Sequence, residues 1–211
     1  KFKKEKKKFN NYLSNQLIEN FNFELTKNQT NVINEINSDL QSEYKMFRLL
    51  QGDVGSGKTI VSLIAAANVI KSNWQVALMA PTEILAKQHY NLACKLFKST
   101  NIKISFLSGS SDSNEKKMIQ KDLIDKKINF LIGTHALFQK NVQFKNLGLV
   151  IIDEQHKFGV RQRIELSKKG GRNCDILLMS ATPIPRTLIL AIYGDMDVSR
   201  LIEKPMYRKD I

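Results

Sequence analysis

Two short stretches carry residue types whose spacing can do phosphate chemistry. Gly52-Asp53-Val54-Gly55-Ser56-Gly57-Lys58-Thr59 fits G-x-x-x-x-G-K-[ST] at every position. Glycines let backbone N–H groups close around a phosphate that side chains would keep out, and a helix beginning there adds its positive end. Lys58 supplies a mobile cation for β- and γ-phosphates, and the Thr59 hydroxyl is placed to ligate Mg²⁺. A glycine-rich turn can also merely join strand to helix, but the Lys-Thr pair and the apolar flanks make that the poorer account. The second stretch, Leu149-Val150-Ile151-Ile152-Asp153-Glu154-Gln155-His156, reads as a buried strand that ends in paired carboxylates. Asp153 can hold Mg²⁺ through its water shell, and Glu154 can orient or deprotonate an attacking water. A solvated acidic turn is the rival reading. Lys58, Asp153, Glu154, Gln155 and His156 are the candidate catalytic set, with His156 in a coupling role beside the carboxylates.

Such a loop and such a carboxylate pair meet only if a sheet brings them to one edge. Short apolar runs recur at 46–50, 76–80, 102–107, 130–132, 149–152 and 176–179. Most are continuously apolar, as strands covered on both faces of a parallel sheet are. Helical spacing fills the intervals 59–71, 82–97, 113–126 and 183–192, with Leu85, Leu92 and Leu96 marking one face of the second. Val32, Ile33, Ile36 and Leu40 give an earlier amphipathic helix, and residues 12–18 a further one. This alternation predicts an α/β fold with a doubly wound, mainly parallel sheet and helices on both faces. The polar stretch 108–117 is the expected loop.

The charge balance limits the partners. Thirty-three Lys and Arg against twenty Asp and Glu give +13, and 42% of the 211 residues are apolar. A collagen-like or disordered chain is excluded, and the chain is long enough for one cored domain. The longest apolar run, 60–70, is interrupted by Ser62 and Asn68 and falls short of the roughly 18–20 residues that cross a bilayer. No membrane association and a cytosolic location are the expectation, as is a buried thiol at each of Cys94 and Cys174. A positive field favours polyanions such as nucleic acid. Residues 1–8 hold six Lys and one Glu, and such a run is expected to be a frayed, solvated end.

Asp153-Glu154-Gln155-His156 matches the DExH box of superfamily-two helicases, and Ser180-Ala181-Thr182 matches their third motif. Ala80-Pro81-Thr82-Glu83-Ile84-Leu85-Ala86, Gly133-Thr134-His135-Ala136-Leu137, Phe158-Gly159-Val160 and Ala181-Thr182-Pro183-Ile184-Pro185-Arg186-Thr187-Leu188 narrow the likeness. From about residue 21 to 211 the chain resembles the RecG family of bacterial branch-migration helicases. The Mfd-type transcription-repair coupling translocases are near relatives, from which Gln155-His156 tilts the likeness away. The resemblance implies a RecA-like P-loop NTPase fold, ATP and Mg²⁺ as cofactors, and branched DNA as partner, in repair and recombination. It further implies a monomer in the bacterial cytoplasm. Residues 1–20 would be a basic helix or linker from an upstream wedge domain, 21–200 the first motor domain, and 201–211 a linker toward a second motor domain.

Site roles follow from the same resemblance. Gln29 would bond the adenine edge with Phe23 near the base, although Thr26-x-x-Gln29 also reads as a helix capping box, and both can hold. Pro81, Thr82 and Glu83, with Gly133, Thr134 and His135, would lie along the DNA backbone; ordinary turn chemistry is their rival account. Ser180, Thr182 and Arg186 would couple the two ligands. Ser180 stands where Thr is more frequent, and Lys157 where Arg is common. Two other classes fit less well. Leu107-Ser108-Gly109-Ser110 has a likeness to a transporter-ATPase signature, but the Asp-Glu strand follows it too distantly, and no Asn-Lys-x-Asp stretch exists to read guanine. A non-catalytic nucleic-acid-binding module of this fold would not need Lys58, Thr59, Asp153 and Glu154 intact.

Overall fold

The structure, a computed structural model, describes residues 2–21, 24–154, 171–182 and 196–203. The expected helix at 183–192, the segment 204–211, and Phe23, Gln155, His156 and Arg186 lie outside the described residues. Chain order is α1 (Tyr12–Phe21), α2 (Lys27–Gln41), β1 (Phe47–Gly52), α3 (Lys58–Lys71), β2 (Gln75–Met79), α4 (Glu83–Leu96), β3 (Ile104–Leu107), α5 (Ser113–Ile124), β4 (Phe130–Gly133), β5 (Leu147–Ile152), β6 (Asp175–Ser180) and β7 (Asp197–Leu201). Among the described residues one sheet contains seven strands, in the order β3-β4-β2-β5-β6-β1-β7. Every pairing in it is parallel.

Alternation along each strand explains why the runs are apolar throughout. Leu50, Val76, Leu78, Leu149, Ile151, Leu177 and Met179 turn to one face, where α1, α2, α3 and α4 pack. Leu49, Ala77, Met79, Val150, Ile152 and Leu178 turn to the other, against Ile119 and Leu123 of α5, Ala136, Leu137 and Cys174. Each strand thus presents apolar side chains both ways, and α3 is buried almost around its circumference. The expected doubly wound sheet with helices on both faces is what forms.

Several expectations change. β7 escaped notice because Asp197-Val198-Ser199-Arg200-Leu201 alternates and is charged, as suits a strand that among the described residues pairs with β1 alone. The loop expected over 108–117 ends at Asp112, whose carboxylate accepts from Ser113 N (2.7 Å) and caps α5, so 113–117 are helical. On α4 the buried stripe is Ala86, His89, Ala93 and Leu96, with Leu85 and Leu92 half-buried beside it. Cys174 is buried, but Cys94 is only half-buried.

The largest correction concerns the basic start of the chain, which is not a solvated end. Residues 2–7 run beside the turn after α2: Lys4 N donates to Glu43 O (2.8 Å), Lys45 N to Phe2 O (2.8 Å) and Lys7 N to Leu40 O (3.2 Å). Lys4 Nζ donates to both oxygens of Asp175 (2.8 and 2.7 Å), and Lys7 Nζ to one of them (2.6 Å). All three side chains are fully buried. Lys7 also lies over the Trp74 ring, 5.4 Å from its centroid, in space that Gly148 leaves by having no Cβ. Burial pulls the Lys4 ammonium below the ordinary lysine range, and the Asp175 charge pulls the other way. Composition could not show this, because the partner carboxylate stands near the far end of the chain.

Candidate functional site

Three neighbouring strands deliver the expected site to the carboxyl edge of the sheet. β6 lies between β1 and β5, with Gln51 opposite Ser180 and Ile152 opposite Leu178. The phosphate loop leaves β1, Ser180-Ala181-Thr182 leaves β6, and Asp153-Glu154 leaves β5. Gln51, which the sequence did not single out, ties two of these ends together: its Nε2 donates to Thr182 O (3.1 Å). Ser180 Oγ in turn shares a hydrogen bond with Thr182 Oγ1 (3.1 Å).

The loop itself has the form an anion needs. Ser56 N donates to Asp53 O (3.1 Å), closing the turn. Gly57, the N-cap of α3, has φ 91°, a left-handed value that only glycine adopts without strain, and no side chain caps the helix there. The positive end of α3 is therefore open to a ligand. Ser56 Oγ is buried and has no hydrogen-bond partner, an orphan of the kind that a phosphate oxygen would satisfy. Lys58 Nζ folds onto the carbonyl oxygens of Gly52 (2.5 Å) and Asp53 (3.0 Å). Burial pulls its ammonium below the usual lysine range, against the opposing charges of Asp153, Glu154 and Asp53. Thr59 is half-buried on the first turn of α3, while Asp53, Val54 and Gly55 are exposed.

Thr26 and Gln29 form the complete capping box of α2, with Gln29 N donating to Thr26 Oγ1 (3.1 Å) and Thr26 N to Gln29 Oε1 (2.9 Å). Gln29 reaches further than a cap requires. Its Nε2 donates to Ser56 O (2.9 Å), so the buried amide clips α2 to the phosphate loop and keeps one N–H for another acceptor.

At the carboxylate pair, Asp153 N donates to Met79 O (2.8 Å), which holds the end of β5 against β2. Asp153 Oδ1 accepts from Glu154 N (3.0 Å), and Asp153 Oδ2 meets His89 Nε2 at 2.7 Å. Glu154 has φ 48°, a left-handed conformation unusual outside glycine. His89 was missed by sequence reasoning. Its signal was the spacing: it falls on the stripe Ala86-His89-Ala93-Leu96, where a helix facing a sheet would carry apolar residues.

The second group of expected residues gathers at the next strand ends. Met79 of β2 stands opposite Gly133 of β4, and Ala80 N donates to Gly133 O (3.0 Å), so Pro81–Glu83 and Gly133–His135 emerge side by side. Thr82 caps α4 by accepting from Leu85 N (3.3 Å). A Cβ on Gly133 would fall 1.8 Å from Leu107 O, so only glycine lets β4 pass β3 there. Thr134 Oγ1 is a second buried hydroxyl with no partner, His135 is exposed, and Glu83 Oε2 accepts from Ser110 Oγ (2.8 Å). Hydrogen bonds from Ser110 and then Lys87 hold the Glu83 carboxyl below its usual range.

Comparison with known proteins places this geometry among relatives. A family described as DEAD/DEAH box helicase matches residues 26–190. The ATP-dependent DNA helicase RecG of Aquifex aeolicus is 52% identical over 195 residues, covering 92% of this chain and 25% of that protein. A solved structure of RecG bound to a three-way DNA junction superposes with a TM-score of 0.86 at 45% identity, over 99% of this chain and 28% of that one. The DEAD-box helicase Mss116 bound to ssRNA and UDP-BeF aligns with a TM-score of 0.70 at 20% identity, over 90% of this chain and 43% of that one, a likeness of fold. The fold is thus the RecA-like helicase fold, and the chain spans about a quarter of the length of the RecG proteins it matches. Among the described residues no helix is long and apolar enough to cross a membrane.

Proposed function

The chain belongs to the DEAD/DEAH box helicase family, and from that premise we propose that it is the ATP-binding motor domain of a DNA helicase that couples ATP hydrolysis to translocation on, and remodelling of, branched DNA. The observation that carries the reading is the meeting of the phosphate loop, Ser180–Thr182 and Asp153–Glu154 at adjacent strand ends. The relatives named RecG favour it over a coupling translocase or a non-catalytic module.

In this reading the loop Gly52–Thr59 takes the triphosphate. Lys58 leaves the Gly52 and Asp53 carbonyls for phosphate oxygens, whose charge offsets the effect of burial on its ammonium. Ser56 Oγ and the open end of α3 supply further donors. Mg²⁺ fits the oxygen donor set: the Thr59 hydroxyl and the Asp153 carboxylate would hold it, and it would supply positive charge to offset that of the triphosphate. Glu154 orients or deprotonates the attacking water, and Gln155 and His156 complete that box. Gln29 reads adenine through the amide hydrogen not given to Ser56, with Phe23 near the base. Pro81, Thr82, Glu83, Gly133, Thr134 and His135 follow the DNA backbone, and Ser180, Thr182 and Arg186 relay between the ligands. The whole protein would add a wedge domain upstream and a second motor domain downstream, and would act as a monomer in the bacterial cytoplasm in repair and recombination.

The test is ATP hydrolysis, with and without forked DNA, by a protein that includes both motor domains. Fork-stimulated hydrolysis that Lys58→Ala and Glu154→Gln both abolish is expected. Hydrolysis indifferent to DNA, or unchanged in either variant, would overturn the reading.

A further inference from the structure

We infer that His89 is a positioning residue for Asp153, clamping the carboxylate that faces Mg²⁺ and linking it to the helix whose first turn faces DNA. The inference rests on the proposed role of Asp153 as a metal contact. Its basis is geometric. His89 Nε2 lies 2.7 Å from Asp153 Oδ2, and both residues are buried. A carboxylate only accepts, so the imidazole carries its proton on Nε2 and donates. Oδ1 is held at the same time by Glu154 N at 3.0 Å. With each oxygen fixed by a different donor the carboxylate cannot rotate, and its remaining lone pairs keep one orientation.

An apolar side chain at position 89 would fit the stripe on α4 equally well for packing. Ala86 and Ala93 on either side are small and wholly buried, which brings the helix close to the sheet. A histidine there is therefore explained by its partner rather than by the core. The helix also ends in the right place. Thr82, its N-cap, is seven residues from His89, about 10 Å along a rigid helix at 1.5 Å per residue. Any shift of the Pro81–Glu83 turn on a bound strand is carried by α4 to the imidazole, and from there to Asp153. β2 and β5 are neighbours in the sheet, so the contact spans the border between the DNA-facing strand ends and the phosphate-facing ones.

The test measures binding rather than turnover. A fluorescent ATP analogue is titrated onto the chain at increasing Mg²⁺, for the parent, His89→Leu, His89→Gln and Asp153→Asn. Partners of metal ligands are worth roughly 10–100-fold in metal affinity, so His89→Leu should need at least about ten times more Mg²⁺ for the same binding. His89→Gln, whose amide N–H extends to the place of Nε2, should stay within about threefold by the same measure. Mg²⁺-free binding should be equal in the parent and the two His89 variants. A Mg²⁺ requirement in His89→Leu equal to that of the parent overturns the inference. If Asp153→Asn shifts the requirement and His89→Leu does not, only the role of His89 falls; if neither does, the reading of Asp153 as a metal contact falls. Should His89→Leu fail to fold, His89→Asn replaces it, because the shorter amide cannot reach Oδ2. Equal Mg²⁺ requirements in His89→Asn and His89→Gln would then overturn the inference.

Discussion

Replacing Asp175 by Ala should be among the most damaging single changes in the molecule, although it lies far from the phosphate loop. The carboxylate accepts from Lys4, Lys7 and Met46 N, the last at 2.7 Å. Its removal leaves two ammonium groups with fully buried side chains and one backbone N–H without their main partner. Breaking a buried ion pair from one side destabilises by about 3–5 kcal/mol, and an orphaned buried N–H adds about 1–3. For Lys4 the cost has an upper limit, because its ammonium can shed a proton. From the ordinary value of 10.5 this costs about 3.4 kcal/mol at pH 8, at 1.36 kcal/mol per unit. A loss of about 4–6 kcal/mol follows, a large share of the roughly 5–15 kcal/mol that holds a domain together. The sign of the pH dependence is also fixed. Burial lowers the folded-state value of Lys4 below its unfolded value, and removing Asp175 deletes the main opposing influence. The folded variant then binds fewer protons than the unfolded chain, so its stability rises with pH through the range below 10.5. Urea denaturation at pH 8 and pH 10 reads both effects, and the deficit relative to the parent should narrow at the higher pH. A deficit under about 1 kcal/mol at pH 8, or one that does not narrow, would refute the account of the buried lysines.

Three further outcomes are expected. Gly57→Ala forces a side chain onto φ 91° and sets its Cβ 2.2 Å from Gln29 Nε2; with roughly 1–2 kcal/mol for the left-handed backbone alone, it should lower the melting temperature and weaken nucleotide binding together. Gln29→Ala removes the capping box and the clip to Ser56, so it should cost about 1–2 kcal/mol in urea with no nucleotide present; an effect on nucleotide affinity alone would leave Gln29 as a base reader only. Iodoacetamide at pH 8 should label Cys94 and spare Cys174, whose thiol burial pushes up to about 12; mass spectrometry showing equal labelling of the folded chain would contradict that burial.

How much of this could be read beforehand depends on the range of the interaction involved. The loop Gly52–Thr59 and the strand that ends at Asp153 were legible because each is local: a few consecutive residues define the turn, the helix start and the apolar run. Sheet position was legible only as a class. Six runs pointed to parallel strands, but the order that inserts β6 between β1 and β5 comes from packing helices on both faces. β7 was hidden because an edge strand needs only one buried neighbour and keeps Asp197 and Arg200. The Lys4–Lys7–Asp175 cluster was hidden more deeply, since a lysine run has the same composition whether it is solvated or folded onto a distant carboxylate. Gln29 was read as two alternatives, a cap or a base contact, and the fold gives it a third partner, Ser56 O, that neither alternative contained.

The same order of strands gives the edge its working logic. Helices α3 and α4 both start at the carboxyl ends of their preceding strands, one at the phosphate loop and one at the Thr82 turn, and both pack on the same face of the sheet. Because β5 and β6 separate β1 from β2, the two starts cannot touch directly. Whatever passes between them must cross the ends of β5 and β6, which is where Asp153, Ser180 and Thr182 stand. Among the described residues two contacts span that gap: Gln51 Nε2 to Thr182 O from the phosphate side, and His89 Nε2 to Asp153 Oδ2 from the other. Neither is a motif residue by pattern, and each is a buried polar side chain whose partner lies on a neighbouring strand end. Apolar residues would serve packing at both places, so each polar contact is explained by its partner: Gln51 fixes the turn that follows β6, and His89 fixes the carboxylate at the end of β5.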